Sequence, residues 1–246
     1  MKRVIITSIY PRHLKYVQVM LKDYKIEHIF FEEKKQHDSI FSKIEKQYFN
    51  DDFSIKDITI PFTLIKQNNV NSQIIKKQLQ DINPDIILTF GCSLLKKEIF
   101  NIAKIGCVNI HTGIVQKYRG VDSCYWAIFN DQPEAIGTTI HFIDKTIDAG
   151  NILIQAQTKN LNINDTPYHV FLKTCKTGFD LLNYNLLNIE TKKILETKLQ
   201  TNKGSLYLAK NMNEHTFNII KTMCPQVLTR YVTRKKWYDK RIKLIC

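Results

Sequence analysis

Two side chains in one short stretch of the sequence could act together on a carbonyl group. Asn109 and His111 lie at the end of the apolar run CVNIH, residues 107–111. Alternate residues of a strand point to one face, so both side chains should lie on the same side. An imidazole gives or takes a proton near neutral pH, and an amide donates a hydrogen bond without titrating. The pair therefore predicts stabilisation of an oxyanion on an attacked carbonyl.

Such a site also requires a carboxylate that orients the histidine or receives the proton. Asp148 is the best candidate, because the Ala149-Gly150 turn after it leads into another apolar run. Asp144, four residues earlier, is the alternative. Taken singly, His111 could be a partly buried structural histidine, and Asn109 and Asp148 could be turn residues. Since no serine or cysteine is placed as a nucleophile, the group of residues indicates direct transfer to an external nucleophile.

The elements that must position these residues alternate between strands and helices. Alternation of this kind predicts an α/β fold with a mostly parallel sheet and flanking helices. Ligands of such sheets bind beyond the carboxyl ends of the strands, where Asn109 and His111 lie. Strands are expected at 3–9, 26–31, 85–90, 107–111, 136–143 and 151–157, and helices at 13–22, 38–49, 70–80, 94–102, 121–130 and 166 to about 188.

From about residue 195 the character of the chain changes. A strand is expected at 204–209 and a helix at 213–223, and the last 26 residues carry eight Lys or Arg against the single acid Asp239. We expect a catalytic domain over 1–195 and an appendage over 196–246 that binds substrate, mediates dimerisation or both. A solvated basic face is the alternative reading of the tail.

Composition excludes several classes of protein. With 43% hydrophobic and 24% charged residues among 246, wholesale disorder is not expected, and the net charge of +13 favours anionic partners. No CxxC pair or zinc-type Cys-His cluster is present, so we expect no metal and reduced cysteines. The apolar runs are too short to span a membrane, which predicts a cytoplasmic protein without a membrane partner. The dinucleotide, P-loop, zincin and serine-hydrolase motifs are also missing.

Four spaced elements of the sequence resemble the signature of the formyltransferase family that uses 10-formyltetrahydrofolate. The resemblance covers residues 80–190 well and the first 80 residues only by the order of strands and helices. The elements are Asn109-Ile110-His111, Tyr118-Arg119-Gly120, Gly137-Thr138-Thr139 and Ile147-Asp148-Ala149-Gly150.

The resemblance implies a Rossmann-like fold, 10-formyltetrahydrofolate as co-substrate, and catalytic roles for Asn109, His111 and Asp148. It also implies that the folate lies against two segments. One segment precedes the Asn-x-His strand, and the other is the turn before Asp148. The residues implied to contact folate are Cys92, Ser93, Leu94, Leu95, Asp144 and Ile147.

The acceptor amine is the least constrained part of the prediction. The glycinamide ribonucleotide branch of the resembling family carries a Gly-rich phosphate loop after its first strand, but TSIYPRHLKYVQ at that position here contains no glycine. The methionyl-tRNA branch appends an OB-like barrel, for which about 50 residues after 195 are too few. Resemblance to the sugar N-formyltransferases then implies a nucleotide-linked amino-dideoxy sugar, of the dTDP-4-amino-4,6-dideoxyglucose type, used for surface polysaccharide such as O-antigen. Arg119, Tyr207 and Lys210 are the candidate substrate contacts, although Tyr207 could be a packed aromatic and Lys210 a surface lysine.

Two other hypotheses about the function stay open. The basic charge also suits a methionyl-tRNA formyltransferase-like enzyme or a catalytically inert, basic nucleic-acid-binding protein. With a nucleotide sugar as the acceptor, no nucleic-acid partner is expected.

A small C-terminal appendage with apolar residues on its helix predicts a homodimer formed through that segment. The apolar residues concerned are Phe217, Ile219, Ile220 and Met223.

Overall fold

A computed structural model describes residues 1–34, 39–50, 52–193 and 203–245. In these residues the strands are β1 (Arg3–Ser8), β2 (His28–Glu32), β3 (Phe62–Ile65), β4 (Ile86–Thr89), β5 (Gly106–His111), β6 (Tyr118–Gly120), β7 (Gly137–Phe142), β8 (Ile152–Gln157) and β9 (Ser205–Tyr207). The helices are α1 (Pro11–Asp23), α2 (Ser39–Phe49), α3 (Gln73–Ile82), α4 (Lys97–Phe100), α5 (Ser123–Phe129), α6 (Pro167–Glu190), α7 (Glu214–Thr233) and α8 (Lys235–Asp239).

The predicted fold class is confirmed as α/β with a mostly parallel sheet. Seven strands form one sheet in the order β3-β2-β1-β4-β5-β7-β8, and β6 pairs with β9 in a second, two-stranded sheet. The strands β1 to β5 pair in parallel, whereas β7 and β8 are antiparallel. The register of β4 and β5 places Thr89 opposite Asn109.

The chain divides into two compact units, each made of several segments of the sequence. The first unit comprises Met1–Ile110, Phe142–Lys145 and Asn183–Lys193, and the second comprises His111–His141, Thr146–Leu182 and Ile194–Cys246. The described residues of the expected appendage therefore belong to the same unit as His111. The domain boundary itself stays a prediction.

The first unit is built around the continuous apolar strands that the sequence indicates. β1 and β4 are almost entirely buried, as expected for parallel strands covered on both faces. Its core combines strand residues such as Val4, Phe30 and Ile87 with Ile75 and Leu79 from α3. A buried pairing of Arg3 with Glu190 joins β1 to the end of α6.

The second unit has a separate core to which helix α7 contributes. Ile220, Cys224 and Leu228 of α7 pack with Trp126 and Ile128 of α5. Phe217 and Met223 are half-buried against the same cluster. Three of the four apolar residues that suggested a dimer seam are thus used within the unit.

Element bounds differ from the sequence-based expectation where local patterns mislead. α4 is only Lys97–Phe100 rather than 94–102, because Leu94 is exposed and Leu95 enters the core as part of a loop. α7 continues through Pro225 to Thr233, well beyond the expected end at 223. β3 and β6 are not among the expected strands. β3 has few buried side chains, and β6 pairs with residues far along the chain.

The described cysteines are free thiols, and the described residues contain no membrane-spanning helix. Four of them are buried and Cys92 is half-buried, while Cys246 lies outside the described residues. No helix in the described ranges is long and apolar enough to cross a bilayer.

Candidate active site

His111 ends β5 as a buried side chain with an acceptor at each ring nitrogen. Its Nδ1 lies 3.2 Å from Oδ2 of Asp148, and its Nε2 lies 3.1 Å from the carbonyl oxygen of Tyr118. The Ser123 hydroxyl is 3.2 Å from the same Nε2. A carbonyl and an ionised carboxylate only accept hydrogen bonds, so contacts with both are best satisfied when each ring nitrogen carries a proton, whereas the Ser123 hydroxyl can donate or accept. The geometry thus favours an imidazolium.

The electrostatics of His111 agree with this geometry. Burial opposes the charge, but the Asp148 carboxylate and the hydrogen bonds to Asp148 and Tyr118 outweigh burial and raise the pKa of His111 above its ordinary value. The Arg119 guanidinium acts in the opposite direction and lowers that pKa. A histidine in this setting holds its proton to higher pH than a free one.

Asp148 is held by donors on both carboxylate oxygens. Oδ2 accepts from Gly120 N at 2.9 Å and faces His111, while Oδ1 lies 3.4 Å from Nε2 of His141. Burial by itself would raise the pKa of Asp148, but His111 and His141 hold it well below its usual range. The residue has φ 45°, a conformation that aspartate tolerates better than most side chains. The carboxylate is therefore an anion fixed in one orientation.

His141 is a functional candidate that the sequence reading missed. It is a buried residue of β7 and lies in the centre of the run GTTIHFID. The only signal in the sequence is a histidine in the middle of an otherwise buried strand, seven residues before Asp148. Its contact with Asp148 makes the centre a histidine–carboxylate–histidine group.

Asn109 is half-buried in β5, and its amide is oriented by a residue from the neighbouring strand. The Thr89 hydroxyl lies 3.0 Å from Oδ1 of Asn109 and 3.1 Å from the Val108 carbonyl oxygen. With Oδ1 engaged in this way, the NH2 group of the amide is the part directed away from Thr89. Thr89 is a second missed residue, and its signal is the register that places it opposite Asn109.

The expected folate segment follows β4 and is tied down by a buried carboxylate. Glu32, at the end of β2 and fully buried, accepts from Ser93 N at 2.7 Å and from Asn68 N at 2.9 Å. Lys34 donates to the Gly91 carbonyl at 2.6 Å. Within the segment, Cys92 and Ser93 are half-buried, Leu94 is 69% exposed and Leu95 is buried. Glu32 is absent from the sequence-based site because nothing local pairs it with residue 93.

The other predicted contacts have different surroundings. Asp144 is exposed and Ile147 is half-buried, and the Ile147 carbonyl accepts from Arg119. One face of the Tyr207 ring stacks on Trp126, with centroids 4.1 Å apart and ring planes 15° apart. Lys210 is exposed in a short 3-10 helix. The Tyr207 ring also lies 6.1 Å from the Tyr118 ring, so it is packed between aromatic neighbours within its unit.

The sequence profile described as formyl transferase matches residues 19–182, which is more than half of the chain. The chain belongs to the formyl transferase family. The matched range contains His111, Asp148 and His141 as well as the segment after β4. Membership therefore rests on the part of the chain that carries the candidate site.

A curated relative is the methionyl-tRNA formyltransferase of Borrelia garinii subsp. bavariensis. It is 31% identical over 163 residues, which make up 66% of this chain and 46% of that protein. The chain thus matches about half the length of this relative.

Solved structures show the same fold over a larger share of the formyl transferase chain. A sugar N-formyltransferase from Shewanella sp. superposes with a TM-score of 0.64 at 18% identity, covering 91% of this chain and 87% of that one. An N-formyltransferase from Helicobacter canadensis, solved with folinic acid and dTDP-3-aminofucose, gives 0.61 at 18% identity, covering 94% and 82%. At such identities the likeness establishes the fold.

Proposed function

We propose that this formyl transferase moves the formyl group of 10-formyltetrahydrofolate to the amine of a nucleotide-diphosphate-linked amino-dideoxy sugar. The observation that carries the proposal is the buried pair of His111 and Asp148, 3.2 Å apart, which favours an imidazolium. Asn109, whose amide is oriented by Thr89, lies two residues earlier in the same strand. A fixed cation and a fixed amide donor suit the oxyanion of an attacked formyl group.

The chemistry that these residues support is acyl transfer without a covalent enzyme intermediate. The neutral amine of the sugar attacks the formyl carbon, and the carbonyl electron pair moves onto oxygen. Asn109 and protonated His111 stabilise that oxyanion. When the bond between carbon and N10 breaks, the proton lost by the attacking amine is transferred to N10, with His111 and Asp148 as the carriers. The products are a formamido sugar and tetrahydrofolate.

Two sets of residues are proposed to bind the co-substrates. The proposed folate contacts are Cys92, Ser93, Leu94 and Leu95, together with Asp144 and Ile147. Glu32 and Lys34 hold the backbone of the first segment through Ser93 N and the Gly91 carbonyl. On the acceptor side, Tyr207 and Lys210 remain candidates for the base and the phosphates. The net charge of +13 suits an anionic nucleotide sugar.

The choice of a sugar acceptor is supported by the extent of the structural likeness. The Helicobacter protein, solved with a dTDP-linked amino sugar and folinic acid, covers 94% of this chain. A 4-amino-4,6-dideoxyglucose linked to dTDP is the form of acceptor that we propose, with a role in surface polysaccharide synthesis.

Methionyl-tRNA is the second candidate acceptor. It is favoured by the 31% identity with the Borrelia enzyme and by the positive charge, since phosphates of tRNA are natural partners of a basic protein. The same histidine and carboxylate would carry out the transfer, so the two candidates differ only in the amine.

The proposal is tested by incubating the full chain with 10-formyltetrahydrofolate and each of a set of acceptors. The set comprises dTDP- and UDP-linked 3-amino and 4-amino sugars, glycinamide ribonucleotide and charged initiator tRNA. Mass spectrometry of the acceptor reports formylation, and His111→Asn is the matched inactive control. We expect a formamido nucleotide sugar. Formylation of the tRNA alone would replace the sugar by the second candidate, and no formylation of any acceptor would contradict the proposed activity.

A further inference from the structure

The C-terminal strand β9 is hydrogen-bonded to the strand that follows His111. β6 and β9 run parallel, with Arg119 opposite Leu206 and Gly120 opposite Tyr207. Ser205 N donates to the Lys117 carbonyl at 3.0 Å, and Val121 N donates to the Tyr207 carbonyl at 3.0 Å. Residues more than 80 positions apart thus share one small sheet within the second compact unit.

Glycine is required for this approach at two positions. A Cβ on Gly204 would lie 2.3 Å from the Lys117 backbone, and a Cβ on Gly120 would lie 2.0 Å from the Tyr207 carbonyl oxygen. Gly120 also has φ +86°, which side chains rarely adopt. The backbones of the two strands can pack this closely only because both positions lack a side chain.

Arg119 links the residue directly before β9 to the turn that carries Asp148. Its Nε donates to the Gly204 carbonyl at 2.9 Å, and its Nη1 donates to the Ile147 carbonyl at 3.2 Å. A guanidinium is planar and presents its donors in a fixed fork, so it sets the spacing of the two carbonyls that it joins. Arg119 therefore joins Gly204, directly before β9, to Ile147, directly before Asp148.

The neighbouring residue completes the connection to the carboxylate. Gly120 N donates to Oδ2 of Asp148 at 2.9 Å, and the same oxygen faces Nδ1 of His111. Any shift of β6 would change this hydrogen bond and the contact of Arg119 with Ile147 together. Asp148 is thus fixed from its backbone side by Arg119 and from its carboxylate side by Gly120.

We infer that the segment Gly204–Tyr207 and the Arg119 side chain are positioning elements of the catalytic centre, which hold Asp148 against His111. The inference rests on the proposed formyl transfer for its kinetic consequences but not for its structural ones. It also changes the role expected of Arg119 from a contact with the acceptor to a brace between β9 and the Asp148 turn.

Two substitutions test the inference in the full chain. Arg119→Lys keeps the positive charge but loses the fork, and Gly204→Ala drives β9 away from Lys117. The matched control is Arg230→Lys, which alters an exposed arginine paired with Asp131. For each protein we would measure thermal unfolding, kcat and KM for both co-substrates, and the titration of His111 by NMR without substrates.

The expected result separates positioning from binding. Arg119→Lys and Gly204→Ala should lower kcat by about 10- to 100-fold, the scale of a small misplacement of a catalytic group, with smaller changes in either KM. The His111 titration should move to lower pH, because a less well-held Asp148 stabilises the imidazolium less. Asp148 and Arg119 are the charged groups that act on His111, and His141 contacts the same Asp148 carboxylate and packs edge-on against the His111 ring. Arg230→Lys should change none of these quantities.

Other results would overturn the inference. An unchanged His111 titration and kcat in folded Arg119→Lys would show that the brace does not act on the centre. A rise in the KM of the acceptor with kcat retained would instead return Arg119 to acceptor binding. If Gly204→Ala fails to fold, the kcat and His111 titration of Arg119→Lys alone support or overturn the inference. A displaced His111 titration in a protein that formylates no acceptor would support the brace while contradicting the proposed function.

Discussion

Nδ1 of His111 lies 3.2 Å from Oδ2 of Asp148, and the same carboxylate faces His141 through its other oxygen at 3.4 Å. The pair is almost completely buried, with the His111 side chain 5% exposed and the Asp148 side chain 15% exposed. Burial strengthens the attraction between the charges and opposes each charge taken alone. The two side chains therefore keep each other ionised.

This coupling predicts how stability depends on pH. The raised pKa of His111 contributes stability below the ordinary histidine value of about 6.5, and that contribution is lost as pH rises through the folded-state pKa. The lowered pKa of Asp148 contributes stability above about 3.9, and that is lost as pH falls through the folded-state value. Both contributions are present in the interval from about 4 to 6.5.

The measurement is the free energy of urea unfolding of the wild-type chain and of His111→Asn across pH. The difference between the two should be largest at about pH 5.5 and smaller at about pH 9. His215→Asn, which changes an exposed histidine, should give no such dependence. A difference that grows with pH would mean that the imidazolium is not stabilised in the folded chain.

The contact between Thr89 and Asn109 predicts a catalytic defect from a nearly isosteric change. Thr89→Val removes the hydroxyl that lies 3.0 Å from Oδ1 and leaves the amide without that orienting bond. We expect kcat to fall by about 10-fold, which corresponds to the ~1.4 kcal/mol of a lost hydrogen bond in a buried site. Thr89→Ser keeps the hydroxyl and should retain activity. Equal activity of the Val and Ser variants would show that the Thr89 hydroxyl does not orient Asn109 for catalysis.

Substitution of Glu32 should weaken the binding of folate selectively. Glu32→Gln would set an amide NH2 group against the N–H of Ser93 or Asn68, in place of an acceptor. The loss of a buried hydrogen bond to a charged acceptor should raise the folate Kd about 10-fold, while the KM of the acceptor changes little. Glu33→Gln, the exposed neighbour, is the matched control. Folate titration by intrinsic fluorescence checks both variants, and equal Kd values would show that the contacts of Glu32 with the segment after β4 do not contribute to folate binding.

A homodimer through the C-terminal segment stays a prediction, and the structure changes which residues would form it. Ile220 is buried within the unit, so the seam would use the exposed apolar side chains of this segment instead. These are Leu206, Leu208, Val232 and Trp237. Light scattering of the full chain at micromolar concentration should give a dimer mass that Val232→Asp with Trp237→Asp reduces to a monomer. A monomer mass for the wild-type chain would exclude the prediction.

The sequence predicts the fold and the central pair well because both rest on local patterns. Continuous apolar runs identify β1 and β4, and the turn at Ala149-Gly150 indicates that Asp148 faces the end of a neighbouring strand. The observed contact of Asp148 with His111 follows that expectation. Catalysis by these residues remains a proposal.

The missing parts of the site depend on contacts between distant residues, which local patterns do not encode. His141 is seven residues from Asp148, but only the antiparallel strand β7 brings its ring to that carboxylate. Glu32 reaches Ser93 across 61 positions, and Arg119 reaches Gly204 across 85. A single sequence shows that these side chains are polar, but their hydrogen-bond partners depend on the fold.

The central claim is that His111 takes part in formyl transfer, and single-turnover kinetics test it most directly. The full chain, in excess over 10-formyltetrahydrofolate, is mixed with the nucleotide amino sugar that the acceptor assay identifies, and tetrahydrofolate formation is followed by absorbance. His111→Asn should bind folate normally and react slower by ~10²-fold or more, the scale of a lost general acid–base group. His215→Asn should react at the wild-type rate. A His111→Asn rate close to that of the wild-type chain would contradict the account.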